Sequence, residues 1–308
     1  MSNCDIDTYS ISLLIVNCKY GGIKMPLVTV KEMLNAAEKG NYAVGAFNCN
    51  NMEIIQAIVQ AAEEEDSPVI VQASQGAIKY AGLEYITALT KLAAGQTKVP
   101  VALHLDHGTS FEQAVKCIQH GFTSVMIDGS AHPLSENIEL TNKVIEVARA
   151  TGVSVEAELG KIGGTEDDIT VDEKEATFTD PQEAKEFVNA TGVDALAVAI
   201  GTAHGVYKGE PKLDFERLKK IVALIDTPIV LHGSSGVPDE AIKQAISLGV
   251  RKVNIDTNLR EAFVKKARQI LEEKPGEIDP RKILGPAKDT MKEVIKEKIR
   301  LFGSSGKA

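Results

Sequence analysis

The sequence predicts an α/β chain folded as a TIM (β/α)8 barrel with additional C-terminal helices. Three observations carry that prediction: eight short apolar runs, amphipathic stretches between them, and polar residues gathered at the C-terminal ends of the runs. Strand-like runs alternating with helical patterns argue for a parallel sheet with helical crossovers. Eight such units are what a closed barrel requires. The runs are AVGAFN (43–48), VIVQAS (69–74), VALHLD (101–106), SVMIDG (124–129), VSVEAEL (153–159), ALAVAIG (195–201), IVLHG (229–233) and RKVNIDT (251–257). Between them lie patterns such as SFEQAVKCIQHG, DPQEAKEFVNATG and PDEAIKQAISLG, each opening on a capping residue or Pro and closing on Gly. An open doubly wound sheet would place a GxGxxG or GxxxxGK[ST] loop after its first strand, and the sequence has neither there. Past the eighth run, LREAFVKKARQILEEKP and DPRKILGPAKDTMKEVIKEKIRLF amount to one helix more than closure needs. Such a helix covers a barrel end or builds an oligomer interface.

Composition narrows the class of function. With 308 residues, 44% hydrophobic and 25% charged, the chain can bury one large core, so residues 25–308 are expected to form a single catalytic domain. A net charge of -9 and no basic run exclude nucleic acid as a natural partner. Cys4, Cys18, Cys49 and Cys117 show no CxxC pairing, which points to free thiols in a reducing, cytoplasmic setting. The first 24 residues read differently from the rest. ISLLIVNC is too short to span a bilayer, which takes ~20 apolar residues, and no basic segment or small-residue cleavage site accompanies it. No membrane association is expected. Residues 1–24 are expected to be a disordered extension, or to lie upstream of a true translation start at Met25.

The polar strand ends carry the chemistry. They bear Asn48, Ser74, Asp106, His107, Asp128, Glu156, Glu158, His204, His232, Asn254 and Asp256. Barrel enzymes assemble their sites on that rim, and a purely structural barrel has little use for so many ionisable groups there. Three imidazoles from distant strands, His107, His204 and His232, with an open fourth position make a catalytic Zn²⁺ site. His104 lies three residues before His107 on one strand, so alternation predicts that it faces the other way and is structural. His120 reads as a helix-cap residue and His132 as a loop hydrogen-bonding group.

The strings LHLDHG (103–108), VEAELG with GGTEDD (155–168), GTAHGVYKG (201–209), LHGSSG (231–236) and KVNIDT (252–257) occur in order on successive strands. Together they closely resemble the class II, metal-dependent fructose-1,6-bisphosphate aldolases, over Met25 to Ala308. Family members usually lack the 24-residue front end. The resemblance implies Zn²⁺ on His107, His204 and His232, acting as a Lewis acid on the ketose carbonyl and adjacent hydroxyl, in place of a Schiff-base lysine buried on a strand. Asp106 matches the acid/base at the aldehyde oxygen, and Glu166 the residue that moves the dihydroxyacetone-phosphate proton. Ile162-Gly163-Gly164 is expected to give Glu166 a mobile loop that closes over substrate. Glu158 matches a carboxylate able to hold the metal in an alternative, more buried position. Asp128 is either a further ligand or an orienter of a ligating histidine.

The resemblance also implies a phosphate corner made by Gly205, Gly233, Ser234, Ser235, Asn254, Asp256 and Thr257, with K⁺ or Na⁺ held partly by carbonyls near Gly205 and Gly233. Asn48 and Ser74 match contacts to substrate hydroxyls. Arg281 matches an arginine that reaches the far phosphate of a neighbouring subunit, so a homodimer or homotetramer is expected. Three competing functions remain. A zinc hydrolase would want an HxH pair on the first strand, where this chain has GAFNCN; an inactive scaffold would not need the intact ligand set; a tagatose-1,6-bisphosphate aldolase would share every part but the residue after Asn254-Ile255.

Overall fold

The computed structural model describes residues 27–166, 169–171, 176–207, 209 and 211–308. The expectation for residues 1–24 lies outside the described residues. Eight of the described strands close a parallel barrel: β1 (Val44–Asn48), β2 (Val69–Ser74), β3 (Val101–Gly108), β4 (Ser124–Ile127), β5 (Ser154–Leu159), β8 (Ala195–Val198), β10 (Ile229–Leu231) and β11 (Val250–Ile255). All eight fall within the predicted runs or overhang them by one or two residues. Sequence neighbours pair in order, and β1 closes on β11 through Val44 opposite Lys252 and Ala46 opposite Asn254.

The crossovers follow from end signals in the sequence. Helix α1 (Val30–Gly40) precedes β1, α2 (Met52–Glu64) follows it, and α3 (Gln75–Ala81) with α4 (Leu83–Ala94) joins β2 to β3. Then come α5 (Phe111–His120), α6 (Leu134–Thr151), α7 (Pro181–Thr191), α8 (Phe215–Val222), α9 (Asp239–Ser247), α10 (Thr257–Glu273) and α11 (Pro280–Leu301). Ser110 caps α5 by accepting from the Gln113 amide, and left-handed Gly121 ends it. Asp180 caps α7 with Pro181 in its first turn. Loss of one such cap costs about 1 kcal/mol.

Alternation along each strand divides the apolar residues in two. Outward residues such as Val71, Leu103, Leu105, Val155 and Leu196 pack against the helices, while inward Val44, Ala46, Ile70, Ala102, Ala195, Ala197 and Val230 form a second, smaller cluster. That inner cluster is sealed by α1, whose Val30, Met33, Leu34 and Ala37 plug the N-terminal end of the lumen.

One expectation holds and one needs correction. Two helices follow β11, one more than closure needs, as expected, and it is α11 that occupies the closing position, packing between α2 and α9 with Ala287, Met291, Ile295 and Ile299 buried. Helix α10 buries only Leu259 and Ile270, so its apolar face is too sparse for that place. The segment after β5 is more regular than a loop. Strands β6 (Gly163–Glu166), β7 (Ile169–Val171) and β9 (Ala203–His204) form a small sheet at the C-terminal mouth.

Candidate active site

The three predicted imidazoles converge at the C-terminal end of the lumen, each delivered by a different local device. His232 follows β10 directly. His204 lies in β9, whose backbone pairs in register with β6, Gly164 opposite His204. This pairing explains the glycine: at φ +100 a β-carbon on Gly164 would stand 2.2 Å from the His204 carbonyl oxygen. Ile162-Gly163-Gly164 was expected to give Glu166 a mobile loop; Gly164 also makes a close backbone approach. His107 adopts φ 47, a left-handed conformation unusual for a residue with a β-carbon, and the β3–β4 register shifts between Leu105 and Gly108.

That kink overturns the parity argument for His104. With alternation broken at His107, His104 is not on the opposite face: it points into the lumen, fully buried below the cluster, with Nδ1 2.8 Å from Ser124 Oγ. It stays outside both clusters able to hold an ion, so its structural role stands on depth, not on facing outward. Burial and the charge of Lys252 outweigh Glu156 and hold the His104 imidazole well below its ordinary pKa.

Donor atoms of His107, His204 and His232 all lie within 4.8 Å of one another. The His107 ring stands edge-on to both of the others, with centroids 4.9 Å from His204 and 4.7 Å from His232. The outward nitrogens meet carboxylates: His107 Nδ1 is 3.0 Å from Asp128, and His232 Nε2 is 2.9 Å from Glu156. That leaves His107 Nε2 and His232 Nδ1 facing each other at 2.9 Å, and with His204 they make the three imidazoles that a catalytic tetrahedral metal site needs. A second group, His107, Asp128 and Glu158, meets the same test, with Glu158 Oε2 3.8 Å from His232 Nδ1. The residues therefore fit a divalent ion in either position. Burial raises the Asp128 carboxyl, but hydrogen bonds from His107 and Ser130 and the His107 charge prevail and hold it well below the usual range.

Asp106 is buried beside this cluster and receives amides from three strands: Asn48 Nδ2 at 2.8 Å, Gln72 Nε2 at 3.1 Å and Asn254 Nδ2 at 3.3 Å. Gln72 also donates to Asn48 Oδ1 at 2.6 Å. Sequence reading missed Gln72, although its even spacing with Ile70 and Ser74 places it on the inner face.

A cavity of about 220 Å³ opens next to the imidazoles. Asn48, His204, Gly205, Gly233, Ser234, Ser235, Asn254, Asp256 and Thr257, all predicted, line it together with Val206, Arg260 and Glu261. Helix α10 starts in its wall, where backbone N–H groups favour an anion. Arg260, unnoticed in the sequence, grips Asp256 with Nε 2.7 Å from Oδ1 and a terminal nitrogen 2.6 Å from Oδ2; the spacing of four residues on a helix was the available clue. Tyr207 was also missed. Its hydroxyl accepts from Ala203 N at 2.7 Å and donates to Gly233 O at 2.8 Å, tying the His204 segment to the His232 loop.

Three predicted residues sit elsewhere. Ser74 is buried and caps α3 by accepting from Ala77 N. Arg281 is 89% exposed, away from the cavity of its own chain, and forks onto Asp279 at the start of α11. Glu166 ends β6, but its side chain, like Asp167 and Asp168, lies outside the described residues. A lysine buried on a strand, which the metal chemistry was expected to replace, is present all the same: Lys252 is fully buried on β11, 2.8 Å from Glu156. Cys49 and Cys117 are buried free thiols, each pushed up to about 12 chiefly by desolvation, which leaves them unreactive.

Residues 28–307 match the family model for fructose-bisphosphate aldolase class-II. The chain belongs to this family. A fructose-bisphosphate aldolase from Geobacillus stearothermophilus is 52% identical over 92% of this chain and 99% of its own length. A probable fructose-bisphosphate aldolase from Bacillus subtilis is 51% identical, over 92% of this chain and 100% of its own. Among solved structures, the YdjI aldolase of Escherichia coli K12 superposes with a TM-score of 0.80 at 37% identity, covering 92% of this chain and 99% of that one. The chain is thus an enzyme, a metal-dependent class II aldolase acting on a phosphorylated sugar. No helix among the described residues is long and apolar enough to cross a membrane.

Proposed function

We propose that the enzyme catalyses reversible, zinc-dependent cleavage of fructose-1,6-bisphosphate to dihydroxyacetone phosphate and glyceraldehyde-3-phosphate. The observation that carries this reading is the meeting of three imidazoles beside the buried, amide-held Asp106, next to a cavity at a helix N-terminus. His107, His204 and His232 would hold Zn²⁺, with Glu158 and Asp128 offering the alternative, deeper position. When bound, the ion supplies Lewis-acid polarisation of the ketose carbonyl and adjacent hydroxyl.

The remaining roles belong to the chain. Asp106 takes and returns the proton at the C4 oxygen as the C3–C4 bond breaks and re-forms, and its three amide donors hold the carboxylate in one orientation for that transfer. Glu166 moves the proton of the dihydroxyacetone-phosphate carbon. Gly233, Ser234, Ser235 and the first turn of α10 bind one phosphate through backbone N–H groups, and Asn254 with Asp256 orients the adjacent hydroxyls. Gly205 and Gly233 offer carbonyls to K⁺ or Na⁺. Asn48, which lines the cavity, contacts a substrate hydroxyl. Arg281, exposed and aimed by Asp279, binds the second phosphate of a partner subunit, which makes the working unit a homodimer or homotetramer.

Cleavage of fructose-1,6-bisphosphate, followed by triose-phosphate detection, tests the proposal. Activity is expected in the zinc-loaded enzyme, lost with chelator and restored by Zn²⁺. Zinc-loaded enzyme that leaves this substrate intact would refute the assignment.

A further inference from the structure

The barrel lumen below the imidazoles holds a charged pair where such barrels usually stack branched aliphatic side chains. Lys252 of β11 and Glu156 of β5 are both fully buried, with Nζ 2.8 Å from Oε2. Burying an ion pair contributes little to stability, since desolvation of both charges offsets their attraction, and well-packed apolar residues often do as well or better. The pair therefore calls for another explanation. Substrate in the cavity does not reach Lys252, which lies one inward position below Asn254 on its strand. The other oxygen of Glu156 supplies the explanation: Oε1 sits 2.9 Å from Nε2 of His232. Each carboxylate oxygen thus has one close partner, Lys252 on β11 and His232 just past the neighbouring β10. His104, 3.5 Å from Lys252 Nζ and 3.6 Å from Glu156 Oε2, forms a wall of the same compartment and is itself fixed by Ser124.

We propose that Lys252 and Glu156 are positioning residues for the metal centre: Lys252 pins one oxygen of Glu156, so that the other accepts the Nε2 proton of His232 and leaves Nδ1 facing the ion. The inference rests on His232 being a metal ligand. A carboxylate behind a ligating imidazole fixes both its ring orientation and its tautomer, and loss of such a partner typically weakens metal binding 10–100-fold. Lys252 extends that arrangement by one further residue. Without it, the carboxylate has no fixed rotamer, and the imidazole loses its aim although every ligand remains.

The test uses Zn²⁺ affinity, read by competition of the full-length, metal-stripped protein with a chromophoric chelator, independently of turnover. Lys252→Met and Glu156→Gln are each expected to bind Zn²⁺ roughly 10–100-fold more weakly than the unmodified protein. If Lys252 acts through Glu156, the double variant should bind no more weakly than Glu156→Gln alone, and clearly additive losses would overturn the proposal. Long-range ¹H–¹⁵N spectra of the unmodified zinc-loaded enzyme give a readout that needs no variant: His232 should carry its proton on Nε2. Unchanged affinity in Lys252→Met, or a His232 metallated through Nε2, overturns the proposal. Full zinc retention in His232→Ala would instead remove the ligand assignment on which it rests, so the two failures are distinguishable.

Discussion

Replacing Gly164 with alanine adds a single methyl group where two backbones touch. The new β-carbon would lie 2.2 Å from the His204 carbonyl oxygen and 2.8 Å from its nitrogen, whereas ordinary contact begins at 3.4 Å. Both obstructing atoms belong to the main chain, so no rotamer change relieves the overlap. The strands β6 and β9 must part by about 1 Å to restore van der Waals separation. The position also has φ +100, where a residue with a β-carbon is strained by roughly 1–3 kcal/mol. Displacement of a reacting group by about 1 Å can cost on the order of 100-fold in rate, so Gly164→Ala is expected to lower kcat/KM about that much and to weaken Zn²⁺ binding. Gly152→Ala is the control: it too has positive φ, 71°, but nothing lies within 4 Å of the added carbon. It should lose roughly 1–2 kcal/mol of stability and keep its kinetics. Urea unfolding, chelator competition and steady-state kinetics on both variants decide the matter. A Gly164→Ala enzyme with unmodified kcat/KM and zinc affinity would show that the His204 position does not depend on β6.

Chelator should abolish activity and Zn²⁺ or Co²⁺ restore it, while borohydride added with substrate should leave the enzyme active, because Lys252 is committed to Glu156; covalent trapping of substrate would reverse this assignment. His204→Ala and His232→Ala should each lose zinc by elemental analysis, whereas His104→Ala should keep the full stoichiometry; the opposite pattern would sink the ligand set. The unmodified enzyme should prefer fructose- over tagatose-1,6-bisphosphate, and Asp256→Ala, which also releases Arg260, should narrow the kcat/KM ratio by roughly tenfold to a hundredfold, the equivalent of about 1.5–3 kcal/mol. An unchanged ratio places specificity elsewhere. Tyr207→Phe removes the hydroxyl that bridges Ala203 N and Gly233 O; stability should fall by about 1–3 kcal/mol in urea unfolding, with weaker zinc binding, and an unchanged variant would mean that the bridge is incidental.

The barrel was legible because its eight strands are dense in Val, Ile, Leu and Ala and end in polar residues, a pattern that survives in one dimension. The three clustered histidines were legible for the same reason: each stands at a strand end. What escaped the sequence depends on departures from regular geometry. Alternation misplaced His104 because the left-handed backbone at His107 resets the phase of β3, and nothing in LHLDHG announces that turn. The stretch just after β5 read as a loop because a glycine such as Gly164 has two physical uses, freedom and close approach, and sequence does not separate them. Gln72 and Tyr207 act through contacts to residues 34 and 26 positions away. Helix α1 went unassigned as a plug because its amphipathic face resembles that of any outer helix; only the closed lumen gives that face its partner.

The closing helix α11 sets a timetable for folding. Its last turns meet the C-terminal end of α2, where Lys292 and Lys296 bond Glu64 and Arg300 bonds Glu65, across separations of 228 to 235 residues. At a synthesis rate of ~5–20 residues per second, α2 would leave the ribosome on the order of ten to fifty seconds before its partner exists. Through that interval the apolar flank of the first strand and helix has no native neighbour to cover it. Loop-closure entropy must be met before these distant contacts reward it, so the seam between the first and last units is the last part of the barrel to become secure and the part most exposed to aggregation or to chaperone capture on the way.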